Sequence, residues 1–144
     1  MIGREQELKQ IEHLCSSDHF EFLVMYGRRR VGKTTILQVF SDRHEVIFYS
    51  AQEKNDSLNL QDFSKTIQLY FDGQFIAPFL SWANAFSYVT NKSAGRKTIL
   101  IIDEFPFMAG PNPSIKSMLQ REIDHHWKNR NLFLILCDSS VSFM

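Results

Sequence analysis

The chain is 144 residues long and carries 16 Lys and Arg against 16 Asp and Glu, so its formal net charge is zero. Balanced charge removes the simplest electrostatic argument for general nucleic-acid or membrane binding. The apolar runs are far shorter than the ~18 residues of a membrane span, and the charged amino terminus is unlike a secretory signal. Cys15 and Cys137 fit neither a disulfide framework nor a zinc site. We therefore expect one soluble, cytoplasmic domain with a substantial core.

Apolar runs and helical patterns alternate along the chain. Runs rich in β-branched, aliphatic and aromatic residues predict strands at 20–26, 46–50, 98–102 and 132–137. Apolar residues at helical spacing predict helices at 4–14, 32–41, 60–71, 78–89 and 115–127, with Pro78 in the first turn of the fourth. The last two strands are continuously apolar, which is typical of strands covered on both faces of a parallel sheet. This pattern predicts a three-layer α/β fold with right-handed crossovers.

The strongest motif follows the first predicted strand and opens the next helix. It consists of Gly27, Arg28, Arg29, Arg30, Val31, Gly32, Lys33, Thr34 and Thr35. This is the P-loop pattern, in which glycines let backbone N–H groups converge on phosphate oxygens at a helix amino terminus. We expect Lys33 to reach the β- and γ-phosphates and the Thr34 hydroxyl to bind Mg²⁺. The three arginines are either additional phosphate contacts or solvated loop charges.

An acidic pair, Asp103 and Glu104, follows the third predicted strand. After a P-loop this is the Walker B pattern, in which Asp103 would hold Mg²⁺ through water and Glu104 would polarise the attacking water. Glu directly after Asp points to ATPases of the AAA+ and RecA-like division. GTP is excluded because the one Asn-Lys pair, Asn91-Lys92, lacks the Asp that guanine recognition uses.

The fourth predicted strand leads into Asp138, Ser139 and Ser140. In this division the fourth strand lies between the P-loop strand and the Walker B strand, so its tip points toward the γ-phosphate. Either serine could act as a sensor of that phosphate, and a plain Ser-rich turn is the alternative. We interpret Cys137 as a core residue.

Taken together, the motifs resemble the archaeal-type ATPase family, a prokaryotic AAA+ group related to the STAND ATPases. The resemblance rests on the start Ile2-Gly3-Arg4-Glu5, the P-loop, Ile-Ile-Asp-Glu-Phe-Pro-Phe and Leu-Cys-Asp-Ser-Ser-Val-Ser-Phe-Met, and runs to Met144. It implies ATP binding, the sheet order 5-1-4-3-2, and an adenine pocket lined partly by Ile2, Gly3 and Arg4. An ordinary charged helix start is the alternative for that last segment.

Two departures from the family bear on this interpretation. The family usually has Gly where Asp138 stands, which alters the sensor turn. Family members also continue through a fifth strand, a helical lid and a further domain, so residues 1–144 resemble a truncated ATPase core with strand 5 missing. We expect such a chain to turn ATP over slowly and to self-associate through the exposed edge of its P-loop strand.

Weaker features carry less weight. Asp124, His125 and His126 are adjacent on a predicted helix, where neighbours point about 100° apart and cannot form a metal site together. Residues 52–59 are polar and predict a loop near the nucleotide, from which Ser50 or Gln52 could couple Glu104 to a partner.

The sequence leaves the output of the ATPase open between two classes. One is a mechanochemical enzyme that acts on DNA or protein. The other is a nucleotide-gated switch or scaffold with little turnover, as in STAND relatives. DNA-stimulated turnover favours the first, and tight ADP retention through purification favours the second.

Overall fold

The computed structural model describes residues 2–26 and 33–138, and at 2–4, 33 and 34 it describes the backbone alone. In chain order its elements are α1 (Ile2–Cys15), β1 (Glu21–Tyr26), α2 (Lys33–Arg43), β2 (Ile47–Ser50), α3 (Asp56–Asp72), α4 (Trp82–Lys92), β3 (Thr98–Asp103), α5 (Pro106–Ala109), α6 (Ser114–His125), a 3₁₀ turn at Trp127–Asn129, and β4 (Leu132–Asp138). In the part of the chain so described, no helix is both long and apolar enough to cross a bilayer.

The strands form one parallel sheet in the order β1-β4-β3-β2. Their pairing agrees with the order that the resemblance implies for strands 1 to 4. Because β4 is inserted between β1 and β3, the ends of the first, third and fourth strands become neighbours. The α/β fold class predicted from the alternating pattern is confirmed.

The two central strands, β3 and β4, are buried on both faces. Their side chains alternate between two cores, as the period of two residues along a strand requires. Leu100 and Leu134 face the core built with α3, α4, α5 and α6, whereas Ile101 and Ile135 face the core built with α1 and α2. The continuous apolar runs in the sequence therefore reflect two-sided burial.

The strand β1 lies at one edge of the sheet, with one face covered by helices and the other face exposed to solvent. Leu23 and Met25 pack toward α1 and α2, while Phe22, Val24 and Tyr26 are 44%, 36% and 66% exposed on the opposite face. Within residues 2–26 and 33–138, β1 pairs only with β4. This agrees with the expectation of an exposed apolar edge; whether the edge drives self-association stays a prediction.

The predicted start of the fourth helix, at Pro78, is wrong. The helix begins at Trp82, with the Ser81 side chain accepting from the Asn84 N–H at 3.1 Å. Residues 75–79 are instead held outside the helix by two buried residues of α3. The Gln68 amide nitrogen donates to the Ala77 carbonyl, and the Gln68 amide oxygen accepts from the Ile76 N–H. Ser64 Oγ accepts from the Phe79 N–H at 3.0 Å. Tertiary hydrogen bonds to the backbone thus outweigh the preference of Pro78 for a first helical turn.

Two further differences concern short segments. The predicted loop 52–59 ends at Asn55, whose side chain accepts from the Leu58 N–H at 2.9 Å and caps α3. The short helix α5 follows the acidic pair and was not predicted, because four residues are too few for a periodic pattern.

Candidate functional site

The candidate site lies at the carboxyl edge of the sheet, where all four parallel strands end. Tyr26 at the end of β1 is aligned with Asp138 at the end of β4, and Ser50 at the end of β2 is aligned with Asp103 at the end of β3. Helix α2 begins at Lys33, seven residues after Tyr26 in the chain. Ligands of open α/β sheets bind at this edge, in the crevice beside a crossover.

Several predicted site residues lie outside the described part of the chain. These are the loop residues Gly27, Arg28, Arg29, Arg30, Val31 and Gly32 and the sensor candidates Ser139 and Ser140. The side chains of Ile2, Gly3, Arg4, Lys33 and Thr34 lie outside it too, although their backbones form the first turns of α1 and α2. Thr35 is exposed on α2. The roles of these residues stay predictions.

Strand parity places Asp103 on the same face of the sheet as α2. Ile99 and Ile101 both pack in the core beneath α1 and α2, and Asp103 is two residues further along β3. Consistent with this, Asp103 lines a cavity of about 230 Å³ together with Leu37, Gln38 and Ser41 of α2 and Phe48 of β2. The sheet therefore presents its carboxylate toward the helix that carries Lys33 and Thr34.

Glu104 has a left-handed backbone conformation with φ of 56°. Such a conformation is uncommon for a residue with a Cβ and costs of order 1–3 kcal/mol. It is fixed from both sides: the Asp103 Oδ1 accepts from the Glu104 N–H at 3.0 Å, and the Glu104 carbonyl accepts from the Phe107 N–H at 2.9 Å. Glu104 is only 6% exposed, so the turn holds a carboxylate in a largely dry position at the sheet edge.

The segment after Glu104 is also tied to the neighbouring strand. The Phe105 N–H donates to the Cys137 carbonyl at 3.0 Å, and the Ala51 N–H donates to the Asp103 carbonyl at 3.0 Å. The acidic pair is therefore bound to β4 on one side and to the chain leaving β2 on the other. These hydrogen bonds restrict movement of the backbone that carries the two carboxylates.

A buried asparagine, Asn59 of α3, organises the chain after β2. Its side-chain oxygen accepts from the Tyr49 hydroxyl at 2.6 Å and from the Gln52 N–H at 3.2 Å. Its amide nitrogen donates to the Gln52 carbonyl at 3.0 Å and, more weakly, to the Phe107 carbonyl at 3.5 Å. Burial raises the pKa of Tyr49, with Asp62 adding to the shift, so the phenol keeps its proton and can donate it.

The first turn of α3 makes a second link to the same region. The Asp56 carboxylate accepts from the Trp82 indole N–H at 2.9 Å and from the Asn112 amide at 3.3 Å. Asn59 thus contacts α5 itself, at Phe107, and Asp56 contacts the chain after α5, at Asn112. Sequence analysis missed this role of α3, because it assigned residues 52–59 to a loop; the Asn55-Asp56 pair is a signal for a helix cap but does not specify its partners.

Replacing Asn59 with Ala is expected to lower the free energy of unfolding by about 2–3 kcal/mol, because buried polar groups lose their partners at about 1–3 kcal/mol each. Asn84, which is exposed on α4, provides the matched control, and Asn84→Ala is expected to change stability by less than about 0.5 kcal/mol. Urea denaturation of both variants measures the difference. Equal stability of the two variants would contradict the role assigned to Asn59.

A second cavity, of about 310 Å³, lies beside the end of β1 on the face covered by α1 and α2. It is lined by Gln10 and Ile11 of α1, Leu23 and Met25 of β1, Ile36 of α2 and neighbouring residues. Its lining combines these aliphatic side chains with the polar residues Glu7 and Gln10, a mixture that suits a flat heterocycle with hydrogen-bonding nitrogens. It adjoins the two ends of the predicted P-loop segment, Tyr26 and α2.

The sequence also suggested Ser50 or Gln52 as a link between Glu104 and a partner. Ser50 is exposed and aligned with Asp103 in the sheet. Gln52 is exposed, with its backbone held by Asn59. The coupling of Glu104 to a partner through either position stays a prediction.

A parallel sheet of order β1-β4-β3-β2, with a helix opening after β1 and an acidic pair after β3, is the fold of P-loop ATPases. The chain belongs to the family of ATPase domains found predominantly in Archaea, whose family model matches residues 1–144. This confirms the resemblance inferred from the motifs.

The relatives agree with this assignment. An uncharacterised protein of Methanocaldococcus jannaschii is 34% identical over 143 residues, which are 99% of this chain and 30% of that protein. A Walker-type ATPase of Pyrococcus abyssi superposes with a TM-score of 0.70 at 21% identity, over 96% of this chain and 45% of that one. Cdc6p of Pyrobaculum aerophilum gives a TM-score of 0.61 at 18% identity, over 95% and 39% of the two chains. The chain thus spans less than half the length of each of these proteins.

Proposed function

We propose that this domain binds Mg-ATP at the carboxyl edge of its sheet and, within a longer protein, hydrolyses the bond between the β- and γ-phosphates. One observation carries the proposal. Asp103 and the buried, left-handed Glu104 end β3 at the carboxyl edge of the sheet, and Asp103 lies on the face that α2 covers. Family membership supports an ATPase domain, and the residue roles below are our inference.

The phosphate groups would lie against the segment between Tyr26 and α2. Backbone N–H groups of Gly27 to Thr34 and the ammonium of Lys33 would supply positive charge there, and the amino terminus of α2 would add to it. Adenine would occupy the cavity lined by Ile11, Leu23 and Ile36, close to the helix that begins with Ile2, Gly3 and Arg4.

The residues present fit a magnesium ion. Asp103 contributes a hard carboxylate oxygen on the face of the sheet that α2 covers. No group of three or more His, Cys, Asp or Glu side chains suited to metal binding occurs among the described residues, and Mg²⁺ in ATPases needs only one or two carboxylates plus substrate phosphates. Thr34 and Asp103 would hold the ion, which when bound neutralises charge on the phosphates.

Glu104 would act as the base toward the attacking water. Its backbone is locked by Asp103 and Phe107, so its carboxylate does not have to be ordered when the substrate arrives. Ser139 or Ser140 at the end of β4 would contact the γ-phosphate as a sensor. Asp138, where the family usually has Gly, would place an additional carboxylate beside Tyr26.

Calorimetric titration of the 144-residue chain tests the proposal. We expect one ATP to bind per chain with Mg²⁺ present, weaker binding in excess EDTA, and no comparable binding of GTP. Binding that is indifferent to both EDTA and the nucleobase would contradict the proposed site.

Two further observations distinguish the possible outputs of the domain. ADP that copurifies stoichiometrically would identify the domain as a nucleotide-gated switch, and stimulation of turnover by DNA would identify a mechanochemical enzyme.

A further inference from the structure

A second group of reactive side chains lies at the opposite edge of the sheet from the acidic pair. Cys15 ends α1, Glu12 lies one turn before it, and His44 follows α2. Lys97 directly precedes β3, which places the group near the amino ends of the strands. The proposed ATP site does not use any of these residues.

The side chains of Glu12, His44 and Cys15 lie in a row, with His44 in the middle. His44 Nε2 lies 2.7 Å from Glu12 Oε1, and His44 Nδ1 lies 3.9 Å from Cys15 Sγ. The His44 ring also packs on Phe40, with 4.6 Å between ring centroids. Because Phe40 is fully buried, the imidazole is held in one orientation between the carboxylate and the thiol.

This order fixes the direction of proton transfer. An ionised carboxylate only accepts hydrogen bonds, so Nε2 of neutral His44 must carry the proton that it shares with Glu12. Nδ1 then has its lone pair directed at the Cys15 thiol. Cysteine and serine nucleophiles are activated by this arrangement, in which a base lies beside the nucleophile and a carboxylate orients the base.

The charged surroundings of Cys15 act in both directions. Burial raises the pKa of the thiol and nearby Glu12 raises it further, whereas Lys97 lowers it. Lys97 donates to the carbonyls of Cys15 and Ser17, which fixes its charge beside the end of α1. Arg43 contacts Glu12 at 3.4 Å, and Glu45 lines the same cavity. Burial is the largest of these effects, so a base beside the thiol would favour formation of the thiolate.

Cys15 is buried but borders a cavity. Cys15 is 7% exposed and lines an open cavity of about 370 Å³ together with Glu12, His44, Lys97 and neighbouring residues. The other cysteine, Cys137, is fully buried on β4 and free of any disulfide. Cys137 also lines a cavity, of about 530 Å³, but Cys15 is the more exposed of the two thiols and has an imidazole beside it.

We propose that Cys15 is a thiol–disulfide exchange site for low-molecular-weight disulfides, with His44 as its base and Glu12 orienting His44. His44 Nδ1 takes the thiol proton as Cys15 Sγ attacks one sulfur of the disulfide. A new S–S bond joins Cys15 to one half of the reagent, and the other half leaves as a thiolate that recovers a proton. Cys15 is oxidised and the leaving half is reduced, so no further oxidant is required. The attached group would occupy the cavity at the end of α1.

Reaction of the chain with 2-hydroxyethyl disulfide, which is small and uncharged, tests the proposal. Peptide mass spectrometry measures the second-order rate constant at Cys15 and at Cys137. We expect Cys15 to react first and His44→Asn to slow it at least fivefold at pH 7, with Glu12→Gln giving a smaller decrease. His125→Asn, which changes an exposed histidine on α6, is the matched control and should leave the rate unchanged.

The direction of the effect separates a base from a structural role. Loss of packing at His44 would loosen α1, expose Cys15 and accelerate the reaction, whereas loss of the base slows it. The rates of the wild type and His44→Asn should also converge at high pH, where the thiol ionises without help. If His44→Asn does not fold, the wild type alone decides. A rate that increases tenfold per pH unit between pH 6 and 8 shows an unassisted thiol and overturns the proposal, as does equal or faster reaction in His44→Asn.

Discussion

Replacing Glu104 with Gln is expected to reduce ATP hydrolysis by about 10²–10⁴-fold, the usual contribution of a general base, with Mg-ATP binding nearly unchanged. Gln keeps the length of the side chain and the left-handed backbone at this position. Only the ability to accept a proton from water is removed. Phosphate release under single-turnover conditions, in a form of the protein that hydrolyses ATP, measures the loss.

Two comparisons make this result specific. Glu45→Gln changes an exposed carboxylate near the opposite edge of the sheet and should hydrolyse ATP at the normal rate. Asp103→Asn should chiefly raise the Mg²⁺ concentration needed for activity, because that carboxylate lies in the cavity next to α2. Normal hydrolysis by Glu104→Gln would show that another group activates the water.

Replacing Lys33 with Ala is expected to weaken Mg-ATP binding by about 10- to 100-fold. A charge-assisted hydrogen bond contributes about 1.5–3 kcal/mol, and each 1.4 kcal/mol corresponds to a factor of ten in the dissociation constant. Lys33 is the first residue of α2, and the amino terminus of a helix carries positive partial charge that favours a bound phosphate. Calorimetric titration with Mg-ATP measures the change.

Lys65→Ala provides the matched control, because Lys65 is exposed on α3, and its affinity for Mg-ATP should equal that of the wild type. Thermal melts without nucleotide should coincide for both variants and the wild type. Unchanged affinity in Lys33→Ala would remove the phosphate-binding role assigned to the segment 27–34.

The sequence alone determined the fold class and predicted where along the chain the candidate site lies. These follow from local patterns: continuous apolar runs for β3 and β4, helical spacing between strands, and polar residues directly after strands that all end at one edge. Asp103 and Glu104 could be identified because they directly follow a buried strand. The order of the strands was inferred from the resemblance to a family, because the apolar pattern of a strand does not specify which strand it pairs with.

Only the tertiary structure decided how distant residues combine. Asn59 contacts Phe107 across 48 residues, and Cys15 contacts His44 across 29, and no local pattern specifies such pairs. The start of α4 depended on backbone hydrogen bonds to Gln68 and Ser64 of α3. The left-handed Glu104 likewise depends on the chain around it, because its conformational cost is offset by bonds to Asp103 and Phe107. Local propensity fixes elements, whereas burial of polar groups and their need for partners fix the arrangement of the site.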